Sequence, residues 1–205
     1  MLNKLKPAII IITIIITITG LVAAQPQKTN RQLTKRGTIG LEGAQQTFTF
    51  KLFDASKISW PIPFTTYVPQ DMLAETNSSG EGDAVTFTAN FDGKRNDNAF
   101  LSVYFYRQGA REAEARELVK DVAQSRGIQQ RRSDAPKRFR WSIAEHDFMK
   151  QTESGEWVMG TVALGKHNAR FFHVIISYPE NYEEGFVPRA YRILDEWRWA
   201  NGRRL

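Results

Sequence analysis

The sequence predicts an α+β fold, a largely antiparallel sheet with helices packed on its faces in an α/β/α sandwich. Three observations predict it. Several stretches alternate apolar and polar residues at period two, most clearly 47–53 (TFTFKLF) and 84–91 (AVTFTANF). Short turn-forming runs separate such stretches, so neighbouring strands connect as hairpins and pair antiparallel. Two further segments, 110–126 and 190–199, carry apolar residues at helical spacing instead.

In chain order, the first 24 residues read MLNKLKPAIIIITIIITITGLVAA. Lys4 and Lys6 precede an apolar run that Gly20 breaks, and Val22-Ala23-Ala24 has the small-residue spacing that signal peptidase accepts. As a helix, residues 7–24 would reach roughly 27 Å, just short of a ~30 Å hydrocarbon core. A cleaved signal peptide therefore fits a little better than a retained membrane anchor. In either case the basic head stays inside and the rest of the chain is exported, to a periplasm or a thylakoid lumen. Residues 25–46 are polar, basic and poor in large apolar side chains, the composition of a flexible tether.

The folded domain is expected over residues 47–200. Strand 47–53 comes first and 64–68 is a second extended piece, ended by Pro69. ETNSSGEG, residues 75–82, reads as a turn-rich linker. Strand 84–91 leads through Asp92-Gly93 and a polar loop, 94–98, into an aromatic strand, 99–106. In helix 110–126, Leu118, Val119, Val122 and Ala123 form the apolar stripe, and Gly127 stops it. Strand candidates 139–149, 156–164 and 170–178 follow, with turns at Ser154-Gly155 and at 165–168. The closing helical region begins near Asn181 and ends at Trp199, with Tyr191, Ile193, Leu194 and Trp197 on its apolar face.

Composition narrows the function. With no cysteine, the chain has no disulfide, zinc–thiolate, iron–sulfur or thiol chemistry, nor a lipoprotein anchor. Its 28 basic and 22 acidic residues give a net charge of +6, which permits an acidic protein partner or an anionic membrane surface. No nucleic-acid-binding signature accompanies that charge, and none is expected of an exported protein.

The densest charge cluster is Arg131, Arg132, Lys137, Arg138 and Arg140, a loop-borne basic patch able to grip carboxylates or phosphates through guanidinium forks. These five are the candidate partner-binding residues. Glu145-His146-Asp147 suggests metal ligation on paper, but in a strand only the two carboxylates share a side. His167 belongs to a turn and His173 to an apolar strand. No G-x-S-x-G elbow is present, and Glu180, Glu183 and Glu184 read as a solvated surface. Trp60, Trp141, Trp157, Trp197 and Trp199 read as packing residues, and Asn77-Ser78-Ser79 matches a glycosylation acceptor. No catalytic residue, metal or cofactor is assigned.

Several phrases together resemble the PsbP-like family, which includes a photosystem II extrinsic protein and bacterial envelope relatives. They are the corner FTTYVPQDM (64–72), a midchain amphipathic helix after a long strand, and the closing unit FFHVIISYPENYEEGFVPRAYRILDEWRW (171–199). The resemblance implies a non-enzymatic protein that docks on a larger complex, and it carries over no binding residues. The expectation is thus an exported or membrane-tethered binding or assembly protein that docks through its basic face. Its rival is an extracytoplasmic hydrolase or lipid-handling enzyme with a site assembled from dispersed residues.

Overall fold

The computed structural model describes residues 32–58, 60, 62–129 and 136–205. The expected signal or anchor, residues 1–24, lies outside them. Eleven strands and two α-helices follow in order: β1 (Thr34–Leu41), β2 (Ala44–Asp54), β3 (Phe64–Pro69), β4 (Met72–Ser79), β5 (Gly82–Phe91), β6 (Lys94–Tyr106), α1 (Glu112–Ser125), β7 (Ile128–Gln129), β8 (Ala144–Gln151), β9 (Trp157–His167), β10 (Arg170–Pro179), α2 (Glu183–Asp195) and β11 (Arg198–Trp199). All pairings are antiparallel. One sheet has the order β1-β2-β3-β11 and the other β4-β5-β6-β10-β9-β8-β7.

This corrects the expected α+β sandwich. Strand makes up 54% of the described residues and helix 20%, so the fold is β-rich rather than a sheet with helical layers on its faces. Four strands absent from the sequence reading explain the difference, namely β1, β4, β7 and β11. Two of them, β1 and β11, complete the smaller sheet by flanking β2 and β3.

Each missed strand has a local cause. The stretch read as a tether contains β1, because Glu42 and Gly43 both take positive φ (50° and 77°) and close a two-residue hairpin between Leu41 and Ala44. Both central residues of such a turn need the left-handed region, and Asn-Gly or Asp-Gly is the usual signature. Ile39 and Leu41 then bury against Phe50. The stretch read as a linker is mostly β4, an exposed edge strand whose polar side chains suit its position. Asp92-Gly93 alone forms the next hairpin, so β6 begins at Lys94 rather than after a loop.

Facing side chains of the two sheets form the main core. Phe64 of β3 stacks on Trp197 at 3.7 Å and 10°, and on Phe105 of β6 at 5.9 Å. Phe172, Trp199 and Phe87 pack around them, and α2 adds Phe186, Ala190 and Ile193. Arg189 of α2 is buried, with its guanidinium between the rings of Phe48 (4.5 Å) and Phe91 (4.4 Å). It donates to the Asp71 carboxylate at 2.7 and 2.9 Å and to the Gly185 carbonyl. That contact ties α2 to the corner where the chain passes from one sheet to the other.

On the opposite face of the larger sheet, α1 lays Ala115, Val119 and Ala123 over Phe148, Val162, Leu164 and Ile175. Leu118, expected in the apolar stripe, is 40% exposed. Gly160 is required beneath this layer, since a Cβ there would strike the Ile176 carbonyl and the Phe148 ring.

His173 also lies under α1, with Nδ1 2.9 Å from the Tyr106 hydroxyl and its ring stacked on Tyr104 at 5.1 Å. Burial, reinforced by nearby Arg126, pushes the His173 imidazole down to about 4 from its ordinary value near 6.5. Between those values the unfolded chain holds the proton and the folded chain does not, so stability falls as pH is lowered through that window. A loss of about 1.4 kcal/mol per pH unit is expected, from this one group. Urea denaturation of wild type and His173→Phe at neutral and acidic pH should show a markedly shallower acid loss in the variant; parallel profiles would contradict the assignment.

Candidate functional site

The basic cluster is the starting point, and the structure divides it. Arg131 and Arg132 lie outside the described residues. Lys137 donates from Nζ to the Ser142 carbonyl at 2.8 Å. Arg138 pairs with Asp147 at 2.8 Å and also donates to the Thr161 hydroxyl, which itself donates to the same carboxylate at 2.7 Å. Glu145 accepts from the backbone N–H groups of Arg138 and Phe139, both at 2.9 Å, and from the Ser142 hydroxyl at 2.6 Å. Glu145 and Asp147 do share one face of β8, as the strand period requires. Their role there is to fasten the basic segment to the sheet.

Two of the cluster's cations are therefore held by the protein itself. Arg140 stays exposed and makes no ion pair among the described residues. Spacing alone does not show Asp147 pairing with the Arg138 side chain, nor the Ser142 carbonyl accepting from Lys137.

What the fastened segment builds is a cleft. Phe139 stacks on Trp141 at 5.0 Å and meets Tyr191 edge-on at 5.8 Å and 90°. With Leu194, Arg138, Asp195 and Arg204, these rings line a half-open hollow of about 410 Å³. Trp141 is anchored from behind by Phe172 at 5.5 Å, so the cleft floor is continuous with the main core. Tyr191 is 38% exposed, one of few large apolar side chains left in the open. Partial burial raises the pKa of its phenol, and that of Tyr178 nearby to about 12, so both are neutral donors at physiological pH. Arg204 makes no ion pair among the described residues and stands at the rim with its charge available.

The other candidates fall elsewhere. His146 projects from β8 to the α1 face, away from Glu145 and Asp147, and burial lowers its pKa. His167 ends β9, stacked on Trp199 at 4.1 Å rather than lying in the turn, which is formed by Asn168 and Ala169. Glu183 and Glu184 open α2, where acidic residues favour the helix N-terminus. Trp157 is 41% exposed and not a core residue, whereas Trp197 and Trp199 are buried. Among the described residues no group of three or more His, Asp or Glu side chains converges to hold a metal, and no helix is long and apolar enough to cross a membrane.

No protein-family model matches the chain, and no curated protein matches it.

Proposed function

We propose that this chain is a binding module that acts outside the cytoplasm, exported or held by its apolar N-terminal segment, and docks on a larger complex through the Phe139–Trp141–Tyr191 cleft. The observation that carries this reading is an aromatic hollow lined by Arg204 as well as Asp195, with Arg140 exposed between Phe139 and Trp141 in the segment that builds it; neither Arg140 nor Arg204 makes an ion pair among the described residues. Aromatic and arginine side chains are the residues that anchor interfaces: the rings supply rigid apolar area and guanidinium forks recognise carboxylates. An apolar side chain flanked by acidic groups would complement the cleft. The N-terminal segment's lysines and apolar run support the location, and the PsbP-like phrases support a docking role over catalysis.

The test is affinity capture from the native membrane at low salt, comparing wild type with Tyr191→Ala and with the double variant Arg140→Glu/Arg204→Glu. A partner band retained by wild type should fall about tenfold with either variant, since loss of an aromatic anchor or reversal of rim charge costs on that order. Equal recovery by all three proteins would overturn the proposal.

A further inference from the structure

A second hollow lies on the α1 face of the larger sheet, opposite the aromatic cleft. Its floor is β6, β10 and β9, and its wall is the end of α1. Strand period puts Phe100, Ser177, Phe148 and Lys150 on this face, because Ser177 pairs with Phe100 and Gly160, and Phe148 pairs with Gly160. The hollow is about 320 Å³ and no acidic side chain lines it.

Three features there lack a partner that the rest of the molecule should have supplied. Arg126 caps α1, and Gly127, with φ of 82°, locks the turn that follows; a Cβ there would strike the Met149 carbonyl. The guanidinium sits over the rings of Phe100 (5.3 Å) and Phe148 (5.8 Å) and makes no ion pair or hydrogen bond among the described residues. Burial lowers its pKa with no carboxylate to offset the cost. Ser177 is 1% exposed, yet its Oγ has no hydrogen-bond partner. Lys150, on β8 beyond β9, is exposed and makes no ion pair or hydrogen bond among the described residues.

A half-buried unpaired charge and an orphaned buried hydroxyl are both costly unless something arrives to satisfy them. Two cations and a hydroxyl around one hollow satisfy the same ligand atom set, the oxygens of a tetrahedral anion. The hollow exceeds a bare phosphate, and Val158 offers apolar area to whatever the anion is attached to.

We propose that the hollow bounded by Arg126, Lys150 and Ser177 is a binding site for a phosphate monoester, with the phosphate oxygens on Arg126 and Lys150 and the organic body against Val158 and Thr152 beside them. This site stands independently of the aromatic cleft, and either can fail without the other.

The test is titration of the full chain with inorganic phosphate, glycerol 3-phosphate and, as a neutral control, glycerol, read by calorimetry and by the Arg126 Nε–H resonance. Binding of both phosphates is expected, tighter for the ester, with no response to glycerol. Arg126→Gln and Lys150→Gln should each weaken the ester about tenfold or more, and Ser177→Ala about threefold, as expected for charge-assisted and neutral hydrogen bonds respectively. Arg140→Gln, outside the lining of this hollow, should change nothing. Lys150→Gln and Ser177→Ala alter an exposed side chain and a single hydroxyl, so they decide the matter even where Arg126→Gln disturbs the fold. Vesicles containing phosphatidic acid separate the sources: competition with the ester assigns a lipid headgroup, and its absence assigns a soluble ester. No saturable response to either phosphate, or equal weakening by Arg140→Gln, would overturn the site.

Discussion

Trp197→Ala should destabilise the fold by about 3–5 kcal/mol, the range seen when a large aromatic is deleted from a packed core. Trp197 is fully buried and stacks on Phe64 at 3.7 Å, with Trp199 at 5.5 Å and Phe105 at 6.4 Å. Its removal opens a hole bordered by rigid rings, which cannot collapse into it as aliphatic chains would. Against a total stability of roughly 5–15 kcal/mol, that is a large fraction. Trp197→Phe should cost far less. The indole Nε1 is buried without a hydrogen-bond partner, so the smaller ring gives up area but also removes an unsatisfied donor. Chemical denaturation of the two variants checks both halves; an alanine variant within about 1 kcal/mol of wild type would show that the stack does not hold the two sheets together.

Arg189→Met is expected to cost a similar amount, about 3–5 kcal/mol, for a different reason. Methionine can fill much of the space between Phe48 and Phe91, so packing is largely kept. What is lost is the charge that balances Asp71, one of whose carboxylate oxygens is already buried without a partner. A double-mutant cycle separates the terms. If uncompensated charge is the cause, Asp71→Asn combined with Arg189→Met should recover much of the loss. Additive effects would instead place the cost in the cation–π sandwich. Arg189→Lys should not rescue fully, because an ammonium cannot stack flat between two rings while donating twice to one carboxylate.

Some elements were legible because one local signal sufficed. The alternation of Val85, Phe87 and Ala89 marks a buried face, and all three are fully buried. β10 and α1 fall within a residue or two of their expected limits. The illegible elements depend on partners far along the chain. Nothing in 34–41 announces a strand until Phe50 offers Ile39 and Leu41 a place to bury. The two residues of β11 are a strand only because Phe64 and Thr65 lie alongside. With those pairings hidden, sequence shows only the two central strands of the smaller sheet, β2 and β3, and not the strands that flank them.

The candidate sites divide in the same way. A run of arginines and lysines is visible in sequence, but the carboxylates that consume part of it are not. Conversely, Arg126 looked like an ordinary charge at the end of an amphipathic helix. Its isolation emerges only when β6 and β8 bring Phe100 and Phe148 beneath it. Ser177 gave no signal either, because one serine in an apolar strand resembles any other.

The position of Trp197 and Trp199 bears on how the chain reaches this fold. Their partner Phe64 lies more than 130 positions earlier, and the smaller sheet lacks its last strand until β11 is present. Closing so long a loop is paid for in entropy before any core contact repays it, which puts such topologies among the slower folders. A chain emerging from its N-terminus thus stays open through nearly its whole synthesis and closes only when the final helix and strand arrive.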